Sequence, residues 1–326
     1  MIQLQIAVGA SECERIVARL CADDRIATVS HIEGAALKPA GDLIICDITR
    51  EAVSDVLDWL ANEGIDQNGG LTLLNVDAAP SKLARDAEAA APGAPEDAVI
   101  WDEVLDRSEG SARTSWIFYT FFALAVLIAC VAIVTDSAIL VVGAMVVGPE
   151  FAAVAAIAVG IALRRPALAA RAAWLLLRGL LISIAVAVVF TLILRGFGFV
   201  PQDALTKPRP LTAFIYEPNT WSVVVALLAG AAGVLSQTAG QLNALVGVFI
   251  SVTTIPAIAD FSMSIAFGDL RQMGGSALQF GLNFGGMIVA GVLVLMILQG
   301  VTFVRRHRGA RLANASAPEP ASRDIR

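Results

Sequence analysis

Charged residues are scarce in this 326-residue sequence: they make up 16% of it, whereas hydrophobic residues make up 57%. Ordinary soluble domains carry about 25% charged residues. The acids are also unevenly placed, because most lie in the first hundred residues and few lie within residues 116–304. A soluble protein distributes charge over its surface. We therefore expect a lipid bilayer to surround the charge-poor segment.

Histidine and cysteine are too few and too dispersed for a recognisable metal motif. The only histidines are His31 and His307, and no two of the four cysteines form a C-x-x-C pair. Cys13 and Cys21 fall on one apolar helix face, which favours buried reduced thiols over a disulfide or a zinc site. The sequence therefore predicts no metal and no cofactor.

The sequence lacks the motifs that are typical of several functional classes. The chain has no G-x-S-x-G, no H-E-x-x-H, no P-loop and no dinucleotide-binding glycine pattern, so we do not expect an enzyme. An intramembrane hydrolase would need a nucleophile or a metal beside a membrane carboxylate. No basic stripe with interleaved aromatics is present, which argues against nucleic-acid binding. Residues 1–8 alternate like a strand and do not resemble a signal peptide.

Residues 1–77 predict a small α+β domain. Apolar residues alternate in four segments and recur at helical spacing in two others, in the order βαββαβ. This order is typical of a ferredoxin-like sandwich, which we interpret as a cytoplasmic regulatory or assembly domain. The predicted strands are 1–8, 26–33, 42–48 and 71–76.

Residues 78–112 are interpreted as a linker. Residues 78–95 are rich in alanine, proline and aspartate, and residues 98–110 place apolar side chains on one side of a short helix. That helix either lies at the membrane surface or packs on the soluble domain.

Residues 113–304 predict a membrane domain with about six helical spans, followed by a tail at 305–326 that is basic and then disordered. Arginines between the second and third spans and after the sixth place both termini in the cytoplasm. Glycine-rich helix faces suggest a homo-oligomer. The predicted spans are 115–134, 138–163, 172–194, 221–235, 242–267 and 280–304.

Two of these spans are interrupted. Each contains a glycine, then a proline, then an acid, and each follows a polar turn. An odd number of spans in each half would make the two halves antiparallel, and inverted repeats with broken helices are typical of transporters. The candidate pathway residues are Asp136, Gly148, Pro149, Glu150, Gln241, Asn243, Thr253, Thr254, Pro256 and Asp260.

Glu150 is the strongest of these candidates, because a carboxylate deep in a bilayer costs at least about 2.5 kcal/mol unless it is hydrated, paired or neutral. Both prolines fit a functional break or a structural kink equally. Asp136 fits a helix-capping role as well as a pathway role. Asn243, Gln279 and Asn283 either line a path or bond across helices.

Two stretches, residues 111–151 and residues 244–257, resemble a bacterial membrane family known as domain of unknown function 389. The similarity rests on the G-A-M-V-V-G-P-E and G-V-F-I-S-V-T-T-I-P motifs and extends over about residues 111–304. It implies a multi-span inner-membrane protein with a small soluble N-terminal domain, and it implies no substrate.

The sequence therefore supports two functional hypotheses. The first is a transporter or channel for a small solute or ion, with Glu150 as the central ionisable group. The second is a membrane-anchored sensor or scaffold without transport activity, in which the soluble domain does the work.

Overall fold

The computed structural model describes residues 1–91, 93–95, 98–202, 204–205, 207, 209–212, 215, 219–240, 247–248, 250 and 252–315, with side chains up to residue 302. The chain forms two compact units, Met1–Val104 and Leu105–Arg326.

The first unit is a four-stranded antiparallel sheet covered by helices. The strand order is β2-β3-β1-β4, and the element order agrees with the predicted βαββαβ pattern apart from one added helical turn. Strand β2 runs four residues further than predicted. The elements are β1 (Ile2–Val8), α1 (Ala10–Cys21), β2 (Ile26–Leu37), β3 (Ala40–Ile48), α2 (Arg50–Asn62), α3 (Ile65–Asn68) and β4 (Gly70–Asn75).

The core of this unit lies between the sheet and helices α1 and α2. Every second residue of β1 and β3 is buried, as the period of a strand requires. Those side chains pack against apolar residues of α1 and α2, including Ile16 and Leu60. Cys13 is buried as predicted, whereas Cys21 is exposed because it is the last residue of α1.

The segment interpreted as a linker contains two helices. Helix α4 (Lys82–Ala90) begins at Ser81, whose hydroxyl accepts a hydrogen bond from Ala84 N at 3.0 Å. Helix α5 (Trp101–Ser111) follows Ile100, which belongs to the core of the first unit. Arg50 Nε also donates to Ala98 O at 3.0 Å. These contacts favour the alternative in which the start of this segment packs on the soluble domain.

Long apolar helices dominate the second unit. Four are long enough to cross a bilayer, and the bent pair α7–α8 makes a fifth candidate span, so the described residues support four or five spans and not six. This arrangement is typical of a multi-pass membrane protein. The helices are α6 (Trp116–Val134), α7 (Ala138–Val147), α8 (Glu150–Ala162), α9 (Pro166–Gly196), α10 (Thr220–Thr238), α11 (Thr254–Phe267) and α12 (Leu270–Ala315).

The two short helices α8 and α11 form the interior of this unit. Ten of the 13 residues of α8 and ten of the 14 residues of α11 are buried, whereas the long helices expose many large apolar side chains. Helix α8 packs against α9 and α12, and α11 packs against α6, α9 and α12. The interior of the unit is therefore built from the segments that the sequence marks as broken.

Candidate functional site

The first break separates α7 from α8 within one candidate span. Helix α7 ends at Val147, helix α8 begins at Glu150, and the two axes differ by 51°. Pro149 precedes the first residue of α8, where its missing N–H removes no intrahelical hydrogen bond. The interruption predicted at this proline is present, and it leaves non-helical backbone at Gly148 and Pro149.

Glu150 is buried at the start of α8, with 7% of its surface exposed. It is the first residue of α8, and the N-terminus of a helix favours a negative charge. Its Oε2 atom, however, accepts no hydrogen bond from any residue that the structure describes. A buried polar atom without a partner is energetically unfavourable. This oxygen is therefore available to a proton or a cation.

The second break precedes α11. Pro256 is the third residue of that helix, so it occupies the first turn, where proline is tolerated, and does not kink the helix. Thr253 Oγ1 accepts hydrogen bonds from two side chains of α12, Gln279 Nε2 at 3.0 Å and Asn283 Nδ2 at 3.2 Å. Gln279 and Asn283 therefore form hydrogen bonds between helices, which is one of the two alternatives that the sequence left open; the other was to line a path.

Two further oxygens at this break lack partners within the described part of the chain. They are the hydroxyl of Thr254 and the amide carbonyl of Gln279, and both residues are at most 2% exposed. A hydroxyl and an amide oxygen can both act as ligands of a hard cation.

The two breaks meet at Gly148. A Cβ atom at this position would overlap Glu150 Oε2 and would lie 2.8 Å from Ile255 Cγ1, in the first turn of α11. Only glycine allows this approach. The N-terminal ends of α8 and α11 therefore converge, and Thr253 and Thr254 lie within two residues of Ile255 in the chain.

Asp260 lies in a different environment from Glu150. It is fully buried, and its carboxylate accepts hydrogen bonds from Arg209 Nη1 at 3.1 Å and from Ser276 Oγ at 2.5 Å. Arg209 Nη2 also donates to Gln272 Oε1 at 3.1 Å. Both oxygens of Asp260 thus have partners, and one of them is a buried cation.

Asp136 occupies the turn between α6 and α7, with a left-handed backbone φ of 45°. Its carboxylate accepts hydrogen bonds from Thr212 Oγ1 at 2.8 Å and from Leu211 N at 3.4 Å. Asp136 and Asp260 therefore both bind the segment between α9 and α10. Gln241 and Asn243, also predicted as pathway residues, lie outside the described residues.

A cavity of about 210 Å³ in the second unit is lined mainly by apolar side chains, among them Phe190, Phe199 and Met263. Glu150 is not among its lining residues. Together with the low exposure of Glu150, this places the carboxylate in an occluded position in this conformation.

Comparison with known protein families identifies a region that contains both breaks. Residues 145–289, from the end of α7 to within α12, match the family described as domain of unknown function (DUF389). Neither the curated proteins nor the solved structures include a match to this chain. The family comparison confirms the similarity predicted from the two motifs, over a shorter range than 111–304. The similarity to this family therefore covers residues 145–289, a region that includes Glu150, Thr253 and Asp260.

Proposed function

We propose that the chain is a transporter or channel for a small solute or ion whose path passes Glu150. One observation supports this proposal above the others: Glu150 Oε2 is buried without a partner among the described residues, at a break between two apolar half-helices. An uncompensated carboxylate in a membrane domain is typical of ion and proton pathways.

The surrounding chemistry favours a proton or a small hard cation at this site. The atoms without partners at the two breaks are the Glu150 carboxylate oxygen, the Thr254 hydroxyl and the Gln279 carbonyl; all are oxygens, which hard cations prefer as ligands. In the present conformation the site is closed, so binding requires movement of the segments around it. The non-helical backbone at Gly148 and Pro149 is the natural place for that movement.

We also propose the fold of the first unit, the number of spans, the cellular location and the oligomeric state. The element order and the strand order of the first unit support a ferredoxin-like assignment. The apolar helix α11, with the residues before it, is our candidate for the remaining part of a six-span, inverted-repeat arrangement. We further propose a bacterial inner-membrane location with cytoplasmic termini, and a homo-oligomer.

The test compares wild type, Glu150→Gln and Asp269→Asn in proteoliposomes under separate gradients of H⁺, Na⁺ and K⁺. Asp269 is a matched control, because it caps the start of α12 and asparagine caps helices equally well. We expect Glu150→Gln to lose at least about 90% of the flux, whereas Asp269→Asn keeps it. Equal flux in all three proteins would refute a path through Glu150.

A second measurement does not depend on the transported species. A hydrophobic carbodiimide reacts with membrane carboxyl groups, and mass spectrometry locates the adduct. We expect labelling of Glu150 that a bound cation slows, and we expect little labelling of Asp260, because its carboxylate is held by Arg209 and Ser276. Cation-independent labelling of Glu150 would argue against a binding site.

The second candidate function is a membrane-anchored sensor or scaffold without transport. One observation favours it: the first unit groups a thiol, an imidazole and a carboxylate. This candidate predicts that wild type gives no flux above that of protein-free liposomes, and that Glu150→Leu leaves thermal stability unchanged.

A further inference from the structure

Asp42 occupies a position in the first unit where the fold predicts an apolar residue. Alternate residues of β3 point into the core, and the inward residues after Asp42 are Ile44, Cys46 and Ile48. Asp42 is itself 7% exposed. A buried carboxylate at a core position is unfavourable unless other groups compensate it. Asp42, the first of these inward-facing residues of β3, therefore needs specific partners.

Those partners come from two other elements. His31 Nε2, on β2, lies 3.0 Å from Asp42 Oδ2, and the backbone N–H of Gly34 donates to Asp42 Oδ1 at 2.8 Å. The Cys13 sulfur, on α1, lies within 4.8 Å of a carboxylate oxygen of Asp42. The Gly34 contact holds one carboxylate oxygen in place, and the other oxygen faces His31.

The geometry of this group resembles that of a metal site. One ligand atom from each of Cys13, His31 and Asp42 lies within 4.8 Å of the others. The donor atoms around a tetrahedral zinc ion lie roughly 3–4 Å apart, given bond lengths of about 2.0–2.3 Å. A contraction of about 1 Å would complete such a site. His31 is the partly exposed member, with 29% of its side chain accessible, so an ion can enter from that side.

We propose that Cys13 Sγ, His31 Nε2 and Asp42 Oδ2 bind one Zn²⁺ ion, with water as the fourth ligand. A thiolate, an imidazole and a carboxylate are the donors that zinc prefers, whereas Mg²⁺ and Ca²⁺ prefer oxygen ligands alone. Binding removes the thiol proton of Cys13, which is released to solvent. Gly34 N–H then fixes the orientation of the ligating carboxylate, as partners of metal ligands commonly do.

The sequence predicts no metal site, and the reason is the spacing of these residues. Cys13, His31 and Asp42 belong to three different elements, and no local motif joins them. The competing explanation is a hydrogen-bonded group that only satisfies the buried acid. The two explanations differ in one respect: only a metal site requires the sulfur atom and the imidazole nitrogen to bind the same ion.

The experiment uses the full chain in detergent, stripped with a chelator and then titrated with Co²⁺ as a spectroscopic probe and with Zn²⁺ in competition. We expect one equivalent of Co²⁺ to give a thiolate-to-cobalt charge-transfer band and visible bands of tetrahedral intensity, both abolished by Zn²⁺. Cys13→Ser should remove the charge-transfer band, and His31→Gln should weaken binding by about tenfold or more.

Cys21→Ser is the matched control, because Cys21 lies on the same helix and its thiol is exposed. It should leave both the band and the affinity unchanged. His31→Gln keeps the proposal testable if Cys13→Ser does not fold, because His31 is partly exposed. The proposal is overturned if wild type shows no charge-transfer band, if the band disappears in Cys21→Ser, or if His31→Gln binds Co²⁺ as tightly as wild type.

Discussion

The ion pair between Arg209 and Asp260 allows a test of how buried charges affect the stability of the second unit, called the membrane unit below. Arg209 is 4% exposed and Asp260 is fully buried, so Arg209→Met leaves a buried carboxylate with Ser276 as its remaining partner. Breaking a buried pair by removing one partner costs about 3–5 kcal/mol. At about 2–4 °C per kcal/mol, the unfolding temperature should fall by roughly 6–20 °C.

The double variant Arg209→Met/Asp260→Leu distinguishes this explanation from a simple loss of packing. Replacing both charges with apolar groups of similar volume is often neutral or stabilising, so the double variant should unfold at a higher temperature than Arg209→Met. Thermal unfolding in one detergent measures the variants side by side. Arg178→Met is the control, because Arg178 is an exposed cation that stacks over Trp174. A double variant less stable than Arg209→Met would refute the reasoning.

Two further predictions concern one residue in each unit. Gly148→Ala should lower the stability of the membrane unit by about 1–3 kcal/mol, because the new methyl group would crowd Ile255; Gly143→Ala, with no atom within 4 Å of its added Cβ, should have little effect in the same unfolding assay. In the first unit, the side-chain hydrogen bond from Arg25 keeps the pKa of Asp23 below its usual value of 3.8. Since the folded pKa is depressed, this contribution is present above the unfolded pKa and is lost as the pH falls through the folded pKa. Below about pH 4, the free energy of unfolding of wild type should therefore decrease more steeply with falling pH than that of Asp23→Asn. An equal pH dependence in the two proteins would contradict this prediction.

Local patterns in the sequence predicted much of the architecture. The alternation of apolar residues in 1–8 and 42–48 located β1 and most of β3, because the period of a strand depends on neighbouring residues alone. The proline at 149 located the break between α7 and α8, because a missing backbone donor acts locally. Helix α4 was not predicted, because proline and aspartate on either side of its alanines suggested a linker.

Contacts between distant residues could not be predicted in the same way. Arg209 is 51 residues from Asp260, in a segment where an arginine would ordinarily face water. Likewise, the alternation in β3 marks Asp42 as inward-facing, but no spacing rule indicates that Cys13 and His31 meet it there. Such partners depend on how elements pack, and sequence periodicity carries no information about that packing.

The membrane unit shows why partners decide the interpretation of a buried acid. In the sequence, Glu150 and Asp260 share one feature: each follows a proline within an apolar span. In the structure, Asp260 bonds to an arginine and a serine, whereas one oxygen of Glu150 bonds to no described residue. The first acid is compensated by the fold, so its burial needs no ligand. The second is compensated only if something else supplies a proton or a positive charge, and this difference is why the proposed path passes Glu150 and not Asp260.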